Sequence, residues 1–317
     1  MRTIHAAAEL EPAGRKVCLA IGFFDGVHLG HQQIIRQTIA DAHQHEALSV
    51  VVTFDQHPNT VVAPQRVPPL IYSLPQKLRV IESLGCDALL LIHFDKAFSQ
   101  QTGEAFIRGL ARDFRQIQSL CVGSAFTFGY KRGGNVALLK TLGEELKFIV
   151  HGMAAVSLDG RVVSSTRIRE TIRAGDLDAA GQMLGRAYSI AGQITRGDQL
   201  GQQLGFPTAN LDVTGLALPP SGVYTVHALV REGGKTGASS PCRTHRAVVN
   251  IGHRPTLNNP TPALRVEAHL LDFKGDLYGQ EMELVFVEKL REEQKFPSLE
   301  ALKEQIAKDI AAAREKF

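Results

Sequence analysis

Several things are scarce in this sequence. Its 317 residues carry four cysteines, Cys18, Cys86, Cys121 and Cys242, and no two of them form a C-x-x-C pair. Neither a zinc knuckle nor a disulfide framework is therefore expected, and reduced, buried thiols of a cytoplasmic protein are. Charge of one sign is scarce too: 35 basic residues against 32 acidic ones leave a net +3. No strongly basic face follows, so nucleic acid is not an expected partner, whereas a local phosphate site is compatible with this balance. No run approaches the ~20 apolar residues of a membrane span. The opening MRTIHAAAELEPAG lacks the apolar core of a signal peptide. Cytoplasm is the expected location, with no membrane partner. There is no internal repeat.

What is present suits a soluble globular chain, 44% apolar and 21% charged, long enough for two medium domains. The first half alternates short apolar runs with amphipathic ones. VCLAIGF (17–23), SVVVTF (49–54), ALLLIHF (88–94) and SLCVG (119–123) read as buried strands. Helical spacing covers residues 30–42. It recurs in Leu74, Leu78, Ile81 and Leu84, closed by Gly85, and in Phe106, Ile107, Leu110 and Phe114. Short apolar strands alternating with helices predict an α/β domain, a parallel sheet covered on both faces. Past residue 186 the text changes to alternating runs: Tyr224 to Val230, RAVVNIG (246–252), ALRVEAHLLDF (263–273) and MELVFVEKL (282–290). These predict a small β-barrel. The polar stretch 231–246 reads as a hairpin loop. Leu299, Leu302, Ile306 and Ile310 predict a closing helix capped by Ser298. The expected domains are 1–185 and 186–317.

The most informative stretch is IGFFDGVHLGHQQII (21–35), where an apolar run turns into an amphipathic one. Gly22, Gly26 and Gly30 allow close backbone approach. A helix start offers unpaired N–H groups and a partial positive charge, which suit a phosphate. His28 and His31, with Gly30 between them, can reach one anion and stabilise charge on a transferring phosphoryl group. Two half-buried histidines packing a helix start remain an alternative. A closed zinc site is not, because two histidines are too few ligands. In VSSTRIRETIRAG (163–175), Ser164, Ser165 and Thr166 precede a helix rich in arginine, either a second anion site or a capped, solvated basic face.

Taken with TFDQHP (53–58), VGSAFTFG (122–129), LGRAYSIAGQI (184–194) and LGFPTANL (204–211), these motifs resemble the prokaryotic bifunctional riboflavin kinase/FAD synthetase family, in the family's order, from about residue 17 to 309. The resemblance implies a Rossmann-like nucleotidyltransferase domain followed by a β-barrel riboflavin kinase domain. The first would transfer AMP from ATP to FMN, giving FAD and pyrophosphate. The second would phosphorylate riboflavin to FMN. ATP is then co-substrate, Mg²⁺ the implied metal, and the flavins are substrates and products, not a resident group. The matching ATP- and phosphate-binding positions are Gly22, Phe23, Asp25, His28, Gly30 and His31, then Ser164, Ser165, Thr166 and Arg169. His57 reads as a capped turn before Pro58. In the kinase half, Gly201, Gly205, Pro207, Thr208 and Asn210 match the nucleotide loop. Thr208 and Asn210 offer hard oxygens suited to Mg²⁺. Glu267 matches the general base, and Arg291 is a candidate charge beside flavin or nucleotide. NIGHRPTL (250–257) and residues 277–296 match as well.

Two departures stand out. Ala125 occupies a position where relatives carry Asp or Asn, and Gln202 one where they carry Arg. One lost hydrogen bond would weaken a site by about 0.5–1.5 kcal/mol, roughly 2- to 12-fold. The alternative to a two-step enzyme is thus a riboflavin kinase with a weakened or lost adenylyl step. A regulator without catalysis would have damaged His28, His31, Thr208, Asn210 or Glu267, all of which are intact.

Overall fold

A computed structural model describes residues 1–10, 14–197, 200–231, 242–253 and 264–317. By internal contacts the chain forms two units, residues 1–68 with 74–165, and residues 69–73 with 166–317.

The first unit is built on a six-stranded sheet: β1 (Arg2–Ile4), β2 (Val17–Ile21), β3 (Leu48–Phe54), β4 (Ala88–Ile92), β5 (Ile117–Gly123) and β6 (Ile149–Met153). The order is β1-β4-β3-β2-β5-β6, and every pairing is parallel. Side chains alternate between faces, so Leu19, Ile21, Val50 and Val52 join one core cluster while Ala20, Val51 and Leu89 join the other. Both faces are covered over β2 to β5, which is why those four strands read as unbroken apolar runs and not as alternating ones. The covering helices are α1 (Leu29–Gln44), α2 (Leu74–Glu82), α3 (Gly103–Phe114) and α4 (Val136–Leu146). Gly85 takes the left-handed φ of 87° just past α2, the conformation expected of a helix stop. Strands β1 and β6 and helix α4 are not anticipated by the sequence patterns, because each is short or flanked by polar residues. The strand order reverses at β2, with β3 on one side and β5 on the other. That switch point is where open α/β sheets leave a crevice beyond the strands' carboxyl ends.

Helix α5 (Ser165–Ala174) starts on the last residue of the first unit; the rest of it and α6 (Leu177–Leu184) lie in the second unit, ahead of a closed barrel. Its strands are β7 (Ser189–Thr195), β8 (Ala209–Leu211), β9 (Gly222–Arg231), β10 (Cys242–His253), β11 (Leu264–Leu270) and β12 (Glu281–Arg291). They close antiparallel in the order β7-β8-β11-β10-β9-β12. Closure leaves no unpaired edge. The expected hairpin loop over 231–246 needs correction at both ends. Arg231 ends β9 and residues 242–246 begin β10, whose Cys242 pairs with Arg231. Residues 232–241 lie outside the described residues, as does the 254–257 part of NIGHRPTL. Segment 69–73 joins this unit through Leu70, whose N–H and carbonyl pair with Gly215 and Ala217.

Helix α7 (Leu299–Glu315) closes the chain, with Ser298 accepting from the Ala301 N–H as its cap. Ala313 and Ile310 pack on Val223, Val248 and Leu271. Arg291, the candidate charge beside flavin or nucleotide, is engaged within the protein. Its guanidinium grips buried Asp309 of α7 in a bidentate pair, at 2.9 and 2.7 Å. Removing one partner of such a pair strands the other charge, at a cost of about 3 kcal/mol. Arg291→Met should therefore lower the barrel's unfolding midpoint by roughly 10 °C. Calorimetry checks this, and an unchanged midpoint would show that the pair only decorates the interface.

Candidate functional sites

In the first unit the turn after β2 is forced into rare backbone geometry. Phe24 (φ 54°), Gly26 (φ 75°) and Val27 (φ 41°) all lie in the left-handed region. Non-glycine residues there cost about 1–3 kcal/mol each and cluster at functional sites. The turn aims His28 into the N-cap position of α1, where its Nδ1 accepts from the His31 N–H at 3.4 Å. That contact makes Nδ1 the acceptor, so the neutral ring carries its proton on Nε2. The two imidazoles stack, with centroids 3.6 Å apart and planes 19° from parallel. Phe24 meets the edge of His31. A methyl group on Gly30 would sit 3.3 Å from the His28 ring, and one on Gly22 2.8 Å from Phe24. At Gly22 a side chain would force the Phe24 ring to move, whereas at Gly30 it would only crowd the His28 ring. His28 and Asp25 are buried, while Phe23 and His31 are half-buried.

The second motif reaches this turn. Ser165, at the start of α5, donates through Oγ to the Asp25 carbonyl at 3.1 Å, across 140 residues of sequence. Ser164 is half-buried beside it in the chain. Thr166 is exposed, and Arg169 is buried with its Nε donating to the Pro69 carbonyl at 2.7 Å. His57 behaves as the capped turn expected of it. Its Nδ1 accepts from the Asn59 N–H at 3.0 Å, and its ring meets Phe23 edge-on at 4.9 Å. Ala125 is exposed, between Ser124 and the half-buried Phe126. Thr127 is engaged locally, its Oγ1 accepting from Arg132 Nε at 3.0 Å.

One residue escaped the sequence reading. Lys77 of α2 is buried, 3% exposed, and donates to the carbonyls of Phe54 (2.8 Å) and Phe23 (3.2 Å) and to Thr53 Oγ1 (3.4 Å). Sequence patterning hides it, since lysine at a helix position is ordinarily solvated. Nearby, His93 holds Asp55 at 2.5 Å. Burial pushes the Asp55 carboxyl up, but hydrogen bonds from His93 and Phe94 outweigh it and hold the group below its ordinary value.

In the second unit the strand register assembles the candidate site. Asn210 on β8 stands opposite Glu267 on β11, and Glu267 stands opposite Asn250 on β10. Directly opposite residues share a sheet face with Cβ atoms about 5 Å apart, so a carboxylate lies between two amides. Asn250 was missed as an individual residue, since only cross-strand register brings it to Glu267. The inward positions Val266, Ala268 and Leu270 are buried, while Arg265, Glu267 and His269 are half-exposed on the other face. His269 Nδ1 lies 2.8 Å from the Pro207 carbonyl and braces the turn that presents Thr208.

The glycines upstream make room for this loop. A methyl group at Gly197 would fall 2.1 Å from Asn210 Nδ2. One at Gly201 would fall 2.5 Å from the Phe206 carbonyl and 3.1 Å from Thr208 Oγ1. Gly205 adopts a positive φ of 89°. Two separate cavities are lined by neighbouring residues of this stretch. One of about 460 Å³ is lined by Gln202, Pro207, Thr208, Lys274, Asp276 and Tyr278. The other, about 630 Å³, is lined by Asn210 with Arg196, Asp212, Thr214 and Arg265. Among the described residues no cluster of His, Cys, Asp or Glu is arranged to hold a metal, and no helix is long and apolar enough to cross a membrane.

Comparison with known proteins bears on both units. The model of the FAD synthetase family matches residues 10–167, and that of the riboflavin kinase family matches residues 184–317. A Haemophilus influenzae protein called bifunctional riboflavin kinase/FMN adenylyltransferase is 36% identical over 299 residues, 94% of each chain. Its namesake from Pseudomonas fluorescens is 38% identical, over 99% of this chain and 97% of its own. A solved structure titled a macrolide-efflux protein from Streptococcus pneumoniae is 25% identical, with a TM-score of 0.80 over 98% of both chains.

Proposed function

Because the chain belongs to the bifunctional riboflavin kinase/FMN adenylyltransferase family, we propose that it makes FMN from riboflavin and then FAD from FMN, and we assign each step to residues of its own. The kinase step belongs to residues 186–317 and the adenylyl step to residues 1–185, in the cytoplasm. The observation that carries the reading is that each unit holds its own candidate constellation: a stacked histidine pair at a helix start, suited to phosphate, and a Glu267 carboxylate, suited to take a proton, opposite Asn210 in the strand register.

In the kinase step the riboflavin 5′-hydroxyl attacks the γ-phosphorus of ATP. Glu267 accepts the hydroxyl proton, and ADP departs. Asn210 and Asn250 flank the carboxylate and orient it. The glycines at 201 and 205 let the loop pass close to the triphosphate, which lies in the cavity lined by Gln202 and Thr208. Thr208 Oγ1 and the Asn210 amide oxygen fit Mg²⁺: both are hard oxygens, in a cradle that a methyl group on Gly197 or Gly201 would fill. When bound, the ion would neutralise phosphate charge.

In the adenylyl step an FMN phosphate oxygen attacks the α-phosphorus of ATP and pyrophosphate leaves. Little covalent work falls to the protein, so positioning and charge stabilisation dominate. His28 presents its Nε2 proton, with His31 stacked beside it and Gly22, Phe23, Asp25 and Gly30 shaping the turn. Ser164 and Ser165, followed by Thr166 and Arg169, supply the second phosphate-binding motif.

A second reading, a kinase with a weakened adenylyl step, is favoured by the methyl group at Ala125, which offers no hydrogen bond at a position where the family resemblance implies Asp or Asn. Chromatography of products from FMN and Mg-ATP without riboflavin separates the two. FAD with equimolar pyrophosphate is the expected result. FMN production from riboflavin without any FAD would establish the second reading instead.

A further inference from the structure

We propose that Lys77 is a positioning residue for adenylyl transfer, holding together the chain ends that follow β2 and β3 and offsetting the carboxylates of Asp25 and Asp55 where nucleotide phosphates must dock. The inference rests on the reading of the first unit as the adenylyl module.

The geometry is specific. A lysine ammonium has three N–H donors, and three acceptors surround this one: the Phe54 carbonyl, the Phe23 carbonyl and Thr53 Oγ1. Thr53 Oγ1 in turn donates to the Phe23 carbonyl at 3.1 Å. With its donors committed inside the protein, Lys77 acts through the turn and not by touching substrate. The Phe23 carbonyl lies two residues past β2 and five before His28, so this clamp sets where the histidine turn leaves the sheet. Nζ also lies 4.4 Å from the Phe23 ring centroid, a cation–π contact, and the same ring abuts His57. One buried cation thus ties the turn after β2 to the turn after β3 at the switch point of the sheet.

Charge gives the clamp a second role. Asp25 is 3% exposed, in a turn that has to accept a polyanion. An uncompensated carboxylate there would repel the triphosphate. Burial drives the Lys77 pKa down and Asp25 and Asp55 pull it partway back, which leaves it at about 8 against the ordinary 10.5. The ammonium is therefore the protonated form at neutral pH and is lost not far above it. The other titratable groups around the two turns are Asp25, His28, Asp55, His57 and His93. Of these His93 is itself raised, chiefly by its hydrogen bond to Asp55.

The test compares wild type, Lys77→Met and Lys77→Arg in FAD synthesis from FMN between pH 6.5 and 9.5, with riboflavin phosphorylation by the same preparations as the internal control. In Lys77→Met the KM for ATP in the adenylyl step should rise at least about tenfold, with riboflavin phosphorylation within twofold of wild type. Wild-type FAD synthesis should fall as pH passes about 8. That fall cannot be unfolding driven by this group. Between pH 8 and 10.5 the unfolded chain keeps a proton that the folded one has released, so the lysine's contribution to stability rises there. In Lys77→Arg, whose charge persists, the fall should move to higher pH. If it stays in place, another group such as His93 is responsible and the proposal fails. It fails equally if Lys77→Met keeps the wild-type KM for ATP, or if both activities drop together, which would mark a fold-wide structural role. Should Lys77→Met not fold, the wild-type and arginine profiles decide the matter. A wild type that makes FMN but no FAD would instead refute the reading of the first unit.

Discussion

Glu267→Gln is expected to slow riboflavin phosphorylation by about 100- to 10,000-fold, the range over which a positioned general base contributes. The substitution keeps the side chain's size and its place between Asn210 and Asn250 in the strand register, and removes only the ability to take a proton. The effect should lie in kcat more than in the KM for ATP, because the nucleotide loop with Thr208 is untouched. FAD formation from supplied FMN should be unchanged, since that chemistry belongs to the other unit. Rapid-quench measurement of both steps on one preparation checks this. Equal losses in both would point to a folding defect, and no loss would remove Glu267 from its assigned role.

The mirror experiment is His28→Asn. Asparagine is a good N-cap, so α1 keeps its start while the imidazole, its stack on His31 and its Nε2 proton disappear. Loss of one preorganised donor to developing charge costs about 100- to 1,000-fold in rate. That is the expected fall in FAD formation, with riboflavin phosphorylation retained. His28→Ala should do the same and also loosen the helix start by ~1 kcal/mol, so the asparagine variant isolates the chemistry. A His28→Asn protein that makes FAD at the wild-type rate would reduce the stacked histidines to packing.

Much of this was legible in the chain, and for a common reason. Strands β2 to β5 of the first unit are buried on both faces and so declare themselves as apolar runs; the barrel strands alternate; α7 shows its apolar face and its serine cap. Gly30 between two histidines and GFPTANL, which runs into β8, are local strings whose expected chemistry follows from helix-start dipoles and hard oxygens. Local sequence suffices wherever the physics is local: a period, a cap, a turn, or an anion site built from neighbouring residues.

Arg291 shows where that legibility stops. Its motif suggests a ligand charge, and the fold adds a bidentate pair with Asp309 of α7 that no local string announces. Asn250 becomes interesting only once β10 and β11 pair in register, and Ser165 meets the Asp25 carbonyl only after 140 residues of chain have folded back. Lys77 sits on a helix whose apolar stripe gives no hint of it; burial and three acceptors from two other segments give it meaning. The amino-acid string alone thus settled the strongly patterned elements and the local motifs they carry, but not β1, β6 or α4. Register, long-range pairing and the burial of a charge were settled in three dimensions, because each depends on partners far away along the chain.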